Sequence, residues 1–228
     1  MLTNVPESLI LNLHRAEFIA FDNDGTLFNG LDISWLGFKN AWEIVNHKHA
    51  LTLPIPTRDA FKNQIGKPAH EFFPGLLPEG FKHLGSELHQ AIAEHEINAI
   101  ESKQGKLYEG VLETLEALKK RGYKLLLVSN ASNEYFNACV ENLGYKKFLD
   151  GWYCVGTSGK NKNEILQDAM RKHGFKNGVM VGDRISDVNA GKTNDLKTIG
   201  VSYGYGTETE LKDADVIIAN PLELLHIF

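Results

Sequence analysis

The fold is decided by the stretch FIAFDNDGTL at residues 18–27. Its first four residues, Phe18–Phe21, are all apolar, which indicates a short buried strand. Side chains two residues apart in extended chain point the same way, so we expect the Asp22 and Asp24 carboxylates to share one face, with Gly25 turning the backbone away. The motif alone could be a polar strand end, but two carboxylates this close repel unless a cation or shared proton intervenes. The pair therefore favours a chemical role.

Length and composition narrow the class of protein. At 228 residues, the chain favours one core domain with a substantial insertion. The net charge of -5 argues against a nucleic-acid-binding protein, which would normally present a basic face, yet it permits small anionic substrates. The sequence shows no membrane-length apolar run and no signal-peptide pattern, so we expect a cytoplasmic location. Cys139 and Cys154 are predicted to be buried thiols rather than a disulfide or a metal site.

Apolar runs alternate with helical patterns along much of the chain. Runs predicted as strands cover 18–21, 124–128, 152–155, 178–181, 197–201 and, at an edge, 215–219. Helical patterns cover 111–120, 133–143, 163–173 and a short segment after Ile185. Strands and helices that alternate in this way form a parallel sheet covered on both faces. We therefore predict an α/β fold with a Rossmann-like parallel sheet.

The segment 29–105 differs from the rest because it contains helical patterns without a convincing strand. The predicted helices cover 35–47, 57–65 and 81–102. Prolines interrupt the segment repeatedly, which limits the length of each helix. We predict a helical domain over 29–105, inserted into a discontinuous core domain over 1–28 and 106–228. Gly30 and Gly105 stand near the two joins, where a hinge would be useful.

Polar residues follow the predicted strands where each strand ends. In an open parallel α/β sheet, ligands bind at the carboxyl ends of the strands, so these side chains should converge on one edge. The set comprises Asp22, Asp24, Ser129, Asn130, Asp183 and Asp187, with Lys160 and Lys162 just before a predicted helix. Carboxylate oxygens suit Mg²⁺, a hydroxyl and an ammonium can hold phosphate oxygens, and an aspartate can act as a nucleophile. Each residue alone has an ordinary structural explanation, such as a helix cap or a solvated lysine, but the joint occurrence favours phosphoryl chemistry.

This pattern resembles the haloacid dehalogenase superfamily of phosphotransferases over nearly the whole chain. The resemblance rests on DNDGT from Asp22, SN at Ser129, the lysine at Lys162 and GDRISD at 182–187. The inserted helical segment resembles the smaller of the family's cap domains. The sequences QIGKP at 64–68 and GYGT at 204–207 resemble the phosphoglycolate phosphatase branch.

The resemblance implies catalytic roles for three residues. Asp22 would be the nucleophile that takes the phosphoryl group. Asp24 would protonate the leaving alkoxide and then activate the water that hydrolyses the intermediate. Lys162 would neutralise charge between Asp22 and the phosphate. Lys160 competes for the lysine role, but Lys162 is preferred because it immediately precedes the predicted helix.

The resemblance also implies binding roles. Mg²⁺ would be held by the Asp22 carboxylate, the Asp24 backbone carbonyl and Asp183, with Asp187 assisting. Phosphate-binding groups would come from Ser129, Asn130, Lys162 and Gly25.

The weaker signals are assigned to structure. The histidine spacings do not match a zinc site on a helix. Lys67 and Arg184 could meet an anionic substrate, but ordinary solvated charges are the preferred interpretation. Trp35, Phe38 and Trp42 recur at helical spacing and are predicted to form the interior of the inserted segment. Thr207 begins a capping-box pattern and is predicted to be a helix cap.

The sequence thus predicts a Mg²⁺-dependent phosphatase that acts on a small phosphorylated metabolite. Phosphoglycolate, a sugar phosphate, a nucleoside monophosphate and pyrophosphate are all candidate substrates. A phosphomutase of the β-phosphoglucomutase type is the main alternative, because it would use the same aspartate pair. A haloacid dehalogenase needs neither Asp24 nor Mg²⁺ and is disfavoured. A noncatalytic binding protein would be expected to have lost some of the chemical residues, whereas all are present.

Overall fold

The computed structural model describes residues 7–228. The first six residues of the predicted core domain, which belong to the N-terminal region searched for a signal peptide, lie outside the described residues. Within 7–228, six parallel strands form one sheet in the order β3-β2-β1-β4-β5-β6. The strands are β1 (Phe18–Phe21), β2 (Lys124–Ser129), β3 (Gly151–Cys154), β4 (Gly178–Gly182), β5 (Lys197–Val201) and β6 (Val216–Ile218). The predicted α/β fold class and the six predicted strands are confirmed, with β3 displaced by one residue.

Helices flank the sheet and fill the inserted segment. Their bounds are α1 (Glu7–His14), α2 (Leu31–Lys48), α3 (Arg58–Lys62), α4 (Ala69–Phe72), α5 (Gly85–Glu101), α6 (Val111–Lys120), α7 (Asn133–Asn142), α8 (Val155–Ser158), α9 (Lys162–His173), α10 (Ile185–Thr193) and α11 (Glu208–Leu211). Short 3₁₀ helices lie at Pro74–Leu76, Glu79–Leu84, Lys146–Phe148 and Pro221–His226. Among the helices within 7–228, none is both long enough and apolar enough to cross a membrane.

The central strand β1 is buried on both faces. Ile19 and Phe21 pack into one apolar cluster, while Phe18 and Ala20 pack into another on the opposite face. This alternation follows from the two-residue repeat of a strand and explains why all four residues of β1 are apolar. Helices therefore cover both faces of the sheet, and the polar residues associated with β1 lie beyond its carboxyl end.

The sheet register brings three strand ends level. Phe21 at the end of β1 lies opposite Leu127 of β2 and Val181 of β4. The next residue continues the ladder, since the Asp22 backbone N–H donates to the Val181 carbonyl at 2.9 Å. The residues that follow β1, β2 and β4 are consequently neighbours in space, at the carboxyl edge where parallel sheets bind ligands.

The inserted helices have an apolar cluster of their own. Phe38, Trp42 and Phe61 are buried in it, and the Phe38 and Phe61 ring centroids lie 4.8 Å apart. Trp35 packs half-buried against Phe38, so the prediction that these aromatic residues form the interior of the segment is confirmed. Helices α2 and α5 pack along each other. The cluster supports the predicted cap domain over 29–105, whose bounds stay a prediction.

Helix ends in the inserted segment differ from the prediction. Helix α2 begins at Leu31, four residues before the predicted start. Helix α3 covers only Arg58–Lys62, and the Thr57 side chain caps its start. Helix α5 begins at Gly85, after the 3₁₀ helix Glu79–Leu84.

The two connections between the core and the inserted segment pack on Phe28. A Cβ at Gly30 would lie 2.6 Å from the Phe28 ring, and one at Gly105 would lie 3.2 Å from it. Phe28 is 1% exposed and belongs to the core cluster. The Gly30 N–H also donates to the Tyr205 hydroxyl at 3.0 Å. The connections are thus tied to the core in this state, and their predicted use as hinges is not tested by these contacts.

Candidate active site

A buried ion-pair network lies at the end of β1. The Lys162 ammonium contacts Oδ1 of Asp22 and Oδ1 of Asp187, each at 2.7 Å. Lys162, Asp22 and Asp187 are 4%, 2% and 1% exposed. Burial alone would lower the pKa of Lys162, but the two carboxylates raise it above its ordinary value, so the lysine carries its charge.

The competing lysine has a different environment. Lys160 is exposed and its ammonium pairs with Asp168 on the surface. Lys162 reaches the site because α9 begins at this residue, one position earlier than predicted, with Asn161 as its cap. The Asn161 side chain accepts the Glu164 N–H at 3.1 Å, and the Glu164 carboxylate accepts the Asn161 N–H at 3.0 Å. This capping box fixes the first turn and directs Lys162 towards Asp22.

Two further carboxylates follow β4: Asp183 comes directly after the strand, and Asp187 lies in the first turn of α10. One oxygen of Asp187 accepts the Arg184 backbone N–H at 2.9 Å. Oδ2 of Asp183 accepts backbone N–H groups of Tyr205, at 2.7 Å, and Gly206, at 3.3 Å. A Cβ at Gly206 would lie 1.8 Å from the Asp183 carbonyl oxygen, so this close approach requires glycine. The loop at 204–207 therefore positions Asp183.

The arrangement of carboxylates fits a divalent metal ion. One oxygen each from Asp22, Asp183 and Asp187 lie within 4.8 Å of one another. Oδ1 of Asp183 is buried without a hydrogen-bond partner among the described residues, which leaves a ligand atom free. Three carboxylates against the Lys162 ammonium leave two net negative charges, the charge that a divalent cation neutralises.

The same crowding perturbs the proton affinity of these carboxylates. Burial raises the pKa of Asp22 well above its ordinary range, Lys162 opposes this, and the Asp187 and Asp183 charges reinforce it. Burial, followed by the Asp187 charge, raises the pKa of Asp183 to about 7. Perturbed carboxylates grouped at a sheet edge are typical of functional sites. Here they indicate a site that becomes stable in its charged form when a cation is bound.

Asp24 has a separate environment. Its carboxylate is half-buried, accepts a hydrogen bond from the Tyr135 hydroxyl of α7, and lies outside the group of three possible ligands. Burial raises the pKa of Asp24, while the hydrogen bonds from Tyr135 and Asn23 lower it. A carboxyl group with a raised pKa, beside the nucleophile candidate, is a candidate for giving and taking a proton. The Asp24 carboxylate is not in that group, and the role of its backbone carbonyl as a ligand stays a prediction.

The predicted phosphate-binding residues have unequal positions. Ser129 is 2% exposed and its Oγ accepts the Ala131 N–H at 3.2 Å, so its O–H remains available to donate. The Asn130 side chain donates instead to the Gly66 carbonyl at 2.8 Å, which ties the inserted segment to the core. Gly25, at φ +87°, uses its N–H on the Phe28 carbonyl at 3.0 Å. In this structure the Gly25 N–H is therefore not free to donate to a phosphate.

Gly25 has a steric role instead. A Cβ at this position would lie 2.3 Å from Oδ2 of Asp183. The absence of a side chain lets Asp183 approach the loop after β1.

A cavity of about 100 Å³ lies between this edge and the inserted segment. Asp22, Asp24 and Ser129 line its inner end. Its wall comes from the inserted helices and includes Phe61, Ile65, Phe72, Ile92 and Glu96. The cavity can hold the part of a substrate that extends beyond the reacting group.

The family model for haloacid dehalogenase-like hydrolases matches residues 19–201. The chain belongs to this family. The curated relatives include the pyrophosphatase PpaX of Bacillus velezensis, 29% identical over 93% of this chain and 96% of the relative. They also include a phosphoglycolate phosphatase of Vibrio parahaemolyticus, 26% identical over 92% of this chain and 95% of the relative. A predicted phosphoglycolate phosphatase from Haemophilus somnus superimposes with a TM-score of 0.78 at 25% identity, covering 93% and 97% of the two chains.

These likenesses confirm the family resemblance and the assignment as an enzyme of the phosphatase type within this hydrolase family. Cys139 and Cys154 are free and buried, as predicted. Thr207 accepts the Glu210 N–H and caps α11, which confirms its predicted structural role.

The prediction that Arg184 is a solvated charge is wrong. Arg184 is 7% exposed rather than solvated, because its guanidinium contacts the Glu210 carboxylate at 3.0 Å and the Asn63 carbonyl at 3.2 Å. These partners occupy Nε and Nη2 and link the core to the inserted segment. Lys67 is exposed, as predicted, and donates to Gln64 at 2.9 Å.

The sequence did not identify three residues near the site. Tyr135 of α7 hydrogen-bonds directly to Asp24, and Glu96 of α5 lines the same cavity as Asp24. Tyr205 links Asp183 to Gly30 through its N–H and its hydroxyl, and its ring packs in the apolar cluster of the inserted segment. Only Tyr205 had a signal, since it lies in the GYGT stretch at 204–207.

Proposed function

We propose that this hydrolase is a Mg²⁺-dependent phosphatase that cleaves a small phosphate monoester through an aspartyl-phosphate on Asp22. The observation that carries the proposal is the buried group of Asp22, Asp183 and Asp187 beside Lys162, with a free oxygen on Asp183. The names of the relatives support hydrolysis, because a pyrophosphatase and a phosphoglycolate phosphatase both transfer a phosphoryl group to water.

In the first step, an oxygen of the Asp22 carboxylate attacks phosphorus. The new O–P bond forms as the bond from phosphorus to the alcohol oxygen breaks, and protonated Asp24 gives its proton to that oxygen. Burial raises the pKa of Asp24, which favours the protonated form that this step uses. Lys162 and the Ser129 hydroxyl would stabilise charge on the transferring phosphoryl oxygens, which is where most of the catalysis in phosphoryl transfer arises.

In the second step, water attacks the phosphorus of the aspartyl-phosphate. Asp24, now ionised, accepts a proton from this water, inorganic phosphate leaves, and the Asp22 carboxylate is restored. Mg²⁺ held by Asp22, Asp183, Asp187 and the Asp24 carbonyl would neutralise the carboxylates and the phosphoryl oxygens. The inserted segment 29–105 would act as a cap that excludes bulk water during both steps. The predicted cytoplasmic location stays a prediction.

The proposal is tested by phosphate release from a panel of monoesters, with Mg²⁺ and with a chelator. We expect release that requires Mg²⁺, is abolished in Asp22→Asn and is retained in the matched surface variant Asp168→Asn. Asp24→Asn should slow release strongly while Mg²⁺ binding, measured by calorimetry, is largely kept. Release that Asp22→Asn leaves unchanged would contradict the nucleophile role. Interconversion of sugar phosphates with little phosphate release would establish the mutase alternative.

A further inference from the structure

An acidic side chain from α5 faces the two catalytic aspartates. Glu96 lines the same cavity as Asp22 and Asp24, but it enters from the inserted segment rather than from the sheet. It is half-buried, and its charge acts on Asp24 and on Tyr135. None of the proposed catalytic steps uses Glu96. An acid placed opposite the phosphoryl group would instead meet the alcohol part of a bound ester.

The charges around the cavity are mainly negative. The lining residues include the three carboxylates of Asp22, Asp24 and Glu96. Among the side chains that line the cavity, Lys67 is the one lysine or arginine, and it is exposed and held by Gln64. His89 also lines the cavity, but burial lowers its pKa, which favours the neutral ring. The outer part of the cavity therefore offers an acceptor for hydrogen bonds and no buried cation.

The rest of the wall is apolar. Phe61 and Ile92 are buried, Phe72 is half-buried, and all three line the cavity with Ile65. A second anionic group on the substrate would lose its water in this setting without gaining a positive partner. A hydroxyl or ammonium group would gain a hydrogen bond to Glu96 while the carbon atoms contact the apolar wall.

We propose that Glu96 sets substrate choice by admitting phosphate esters whose alcohol part is neutral or cationic and carries an O–H or N–H donor. Esters whose alcohol part carries a carboxylate or a second phosphate are disfavoured by repulsion from the same side chain. The inference rests on the proposed phosphatase function. It sets this chain apart from what the names of its relatives state, because phosphoglycolate and pyrophosphate both carry a second anionic group.

The pKa of Glu96 determines the pH at which the assay is run. Burial raises its pKa to about 7, opposed by the Ser34 hydroxyl and reinforced by the Asp24 charge. The assay is therefore run at about pH 8, where the carboxylate is mostly ionised.

Three esters share a two-carbon skeleton and differ in the charge at the end of the alcohol part. Phosphoethanolamine, 2-hydroxyethyl phosphate and 2-phosphoglycolate end in an ammonium, a hydroxyl and a carboxylate, respectively. For the native protein with Mg²⁺, we expect kcat/KM for 2-hydroxyethyl phosphate to exceed that for 2-phosphoglycolate by about tenfold or more. Phosphoethanolamine should be at least as good a substrate as the hydroxyl ester.

The variant Glu96→Gln removes the charge and keeps the shape. In this variant, kcat/KM for 2-hydroxyethyl phosphate and for 2-phosphoglycolate should differ by no more than about threefold, chiefly because kcat/KM for 2-phosphoglycolate rises. Glu94→Gln is the matched control, because Glu94 is exposed on the same helix, and it should keep the native preference. A preference that Glu96→Gln leaves at its native value would overturn the inference.

The order of substrates for the native protein decides the matter even if the variant does not fold. A native preference for 2-phosphoglycolate over the other two esters would refute the role of Glu96. To separate this failure from a failure of the proposed function, p-nitrophenyl phosphate is assayed in parallel. If phosphate release requires Mg²⁺ and Asp22 but 2-phosphoglycolate is the preferred ester, the inference about Glu96 alone is refuted. Release that Asp22→Asn leaves unchanged refutes the phosphatase mechanism and the inference together.

Discussion

Replacing Lys162 with methionine tests whether one buried ammonium holds the site together. The side chain is 4% exposed and contacts two buried carboxylates at 2.7 Å each. Methionine fills similar space without a charge, so Asp22 and Asp187 would lose their shared counter-charge. Breaking a buried ion pair by removing one partner costs about 3–5 kcal/mol, because the remaining charge stays buried without compensation.

The expected shift in melting temperature follows from the size of the protein. For a chain of about 150–250 residues, each 1 kcal/mol corresponds to about 2–4 °C. Lys162→Met should therefore melt about 6–20 °C below the native protein in metal-free buffer. The assay is thermal unfolding followed by circular dichroism. Loss of charge stabilisation at the phosphoryl group should also lower kcat by about 10²–10³-fold.

Lys160 supplies the control, since it lies two residues away and pairs with Asp168 at the surface. Exposed pairs contribute little, so Lys160→Met should melt and turn over much as the native protein does. If Lys162→Met melts within about 3 °C of Lys160→Met, the buried network does not carry the stability assigned to it. If Lys160→Met instead loses the activity, the catalytic lysine has been assigned to the wrong residue.

Three further perturbations test two residues at the site and one at the opposite, amino end of the sheet. Tyr135→Phe removes a hydrogen bond that lowers the pKa of Asp24, so the limb of the kcat–pH profile that Asp24 sets should move to higher pH. If neither limb moves, Tyr135 does not act on the acid–base group. Gly25→Ala should destabilise more than Gly122→Ala in urea unfolding. Both glycines have positive φ, but only a Cβ at position 25 would clash with Asp183, at 2.3 Å. Equal losses would show that backbone strain alone accounts for the effect. Backbone N–H groups of Lys176 and Asn177 lower the pKa of Glu17 below 4.5, so its contribution to stability is present above that pH and is lost as pH falls through the lowered value. Glu17→Gln should therefore lower the urea midpoint at about pH 7 and leave it nearly unchanged at about pH 3, and the opposite pattern would be inconsistent with this linkage.

The sheet edge was predictable because each part of it is encoded locally. The apolar run of β1 fixes a buried strand, and the two-residue spacing fixes the relation of Asp22 to Asp24. Parallel sheets bind ligands at the carboxyl ends of their strands, and this rule alone predicts that Ser129 and Asp183 lie at the same edge. Local rules also placed Lys162 at the start of a helix, with an error of one residue that the Asn161 cap explains.

Contacts between the sheet and the inserted segment were not predictable in the same way. Arg184 looks like a surface charge in sequence, because its partners Glu210 and Asn63 lie 26 and 121 residues away. Glu96 lies on a helix with an apolar stripe. The spacing of the apolar residues predicts which face of the helix is buried, but it does not predict which distant residues that face contacts. Such contacts depend on how two packed units meet, and no local rule encodes that.

The packing of α5 on α7 connects specificity to catalysis. Helix α7 supplies Tyr135, which hydrogen-bonds to Asp24, and α5 supplies Glu96, whose charge acts on both residues. An ester group that hydrogen-bonds to Glu96 would reduce this negative field, and an anionic group would strengthen it. Because a stronger negative field raises the pKa of a carboxyl group, the wrong substrate would also hold Asp24 in its protonated form. Asp24 gives its proton in the first step, while the alcohol part is still bound, and a carboxyl group of higher pKa is a weaker acid, so discrimination would appear in kcat/KM.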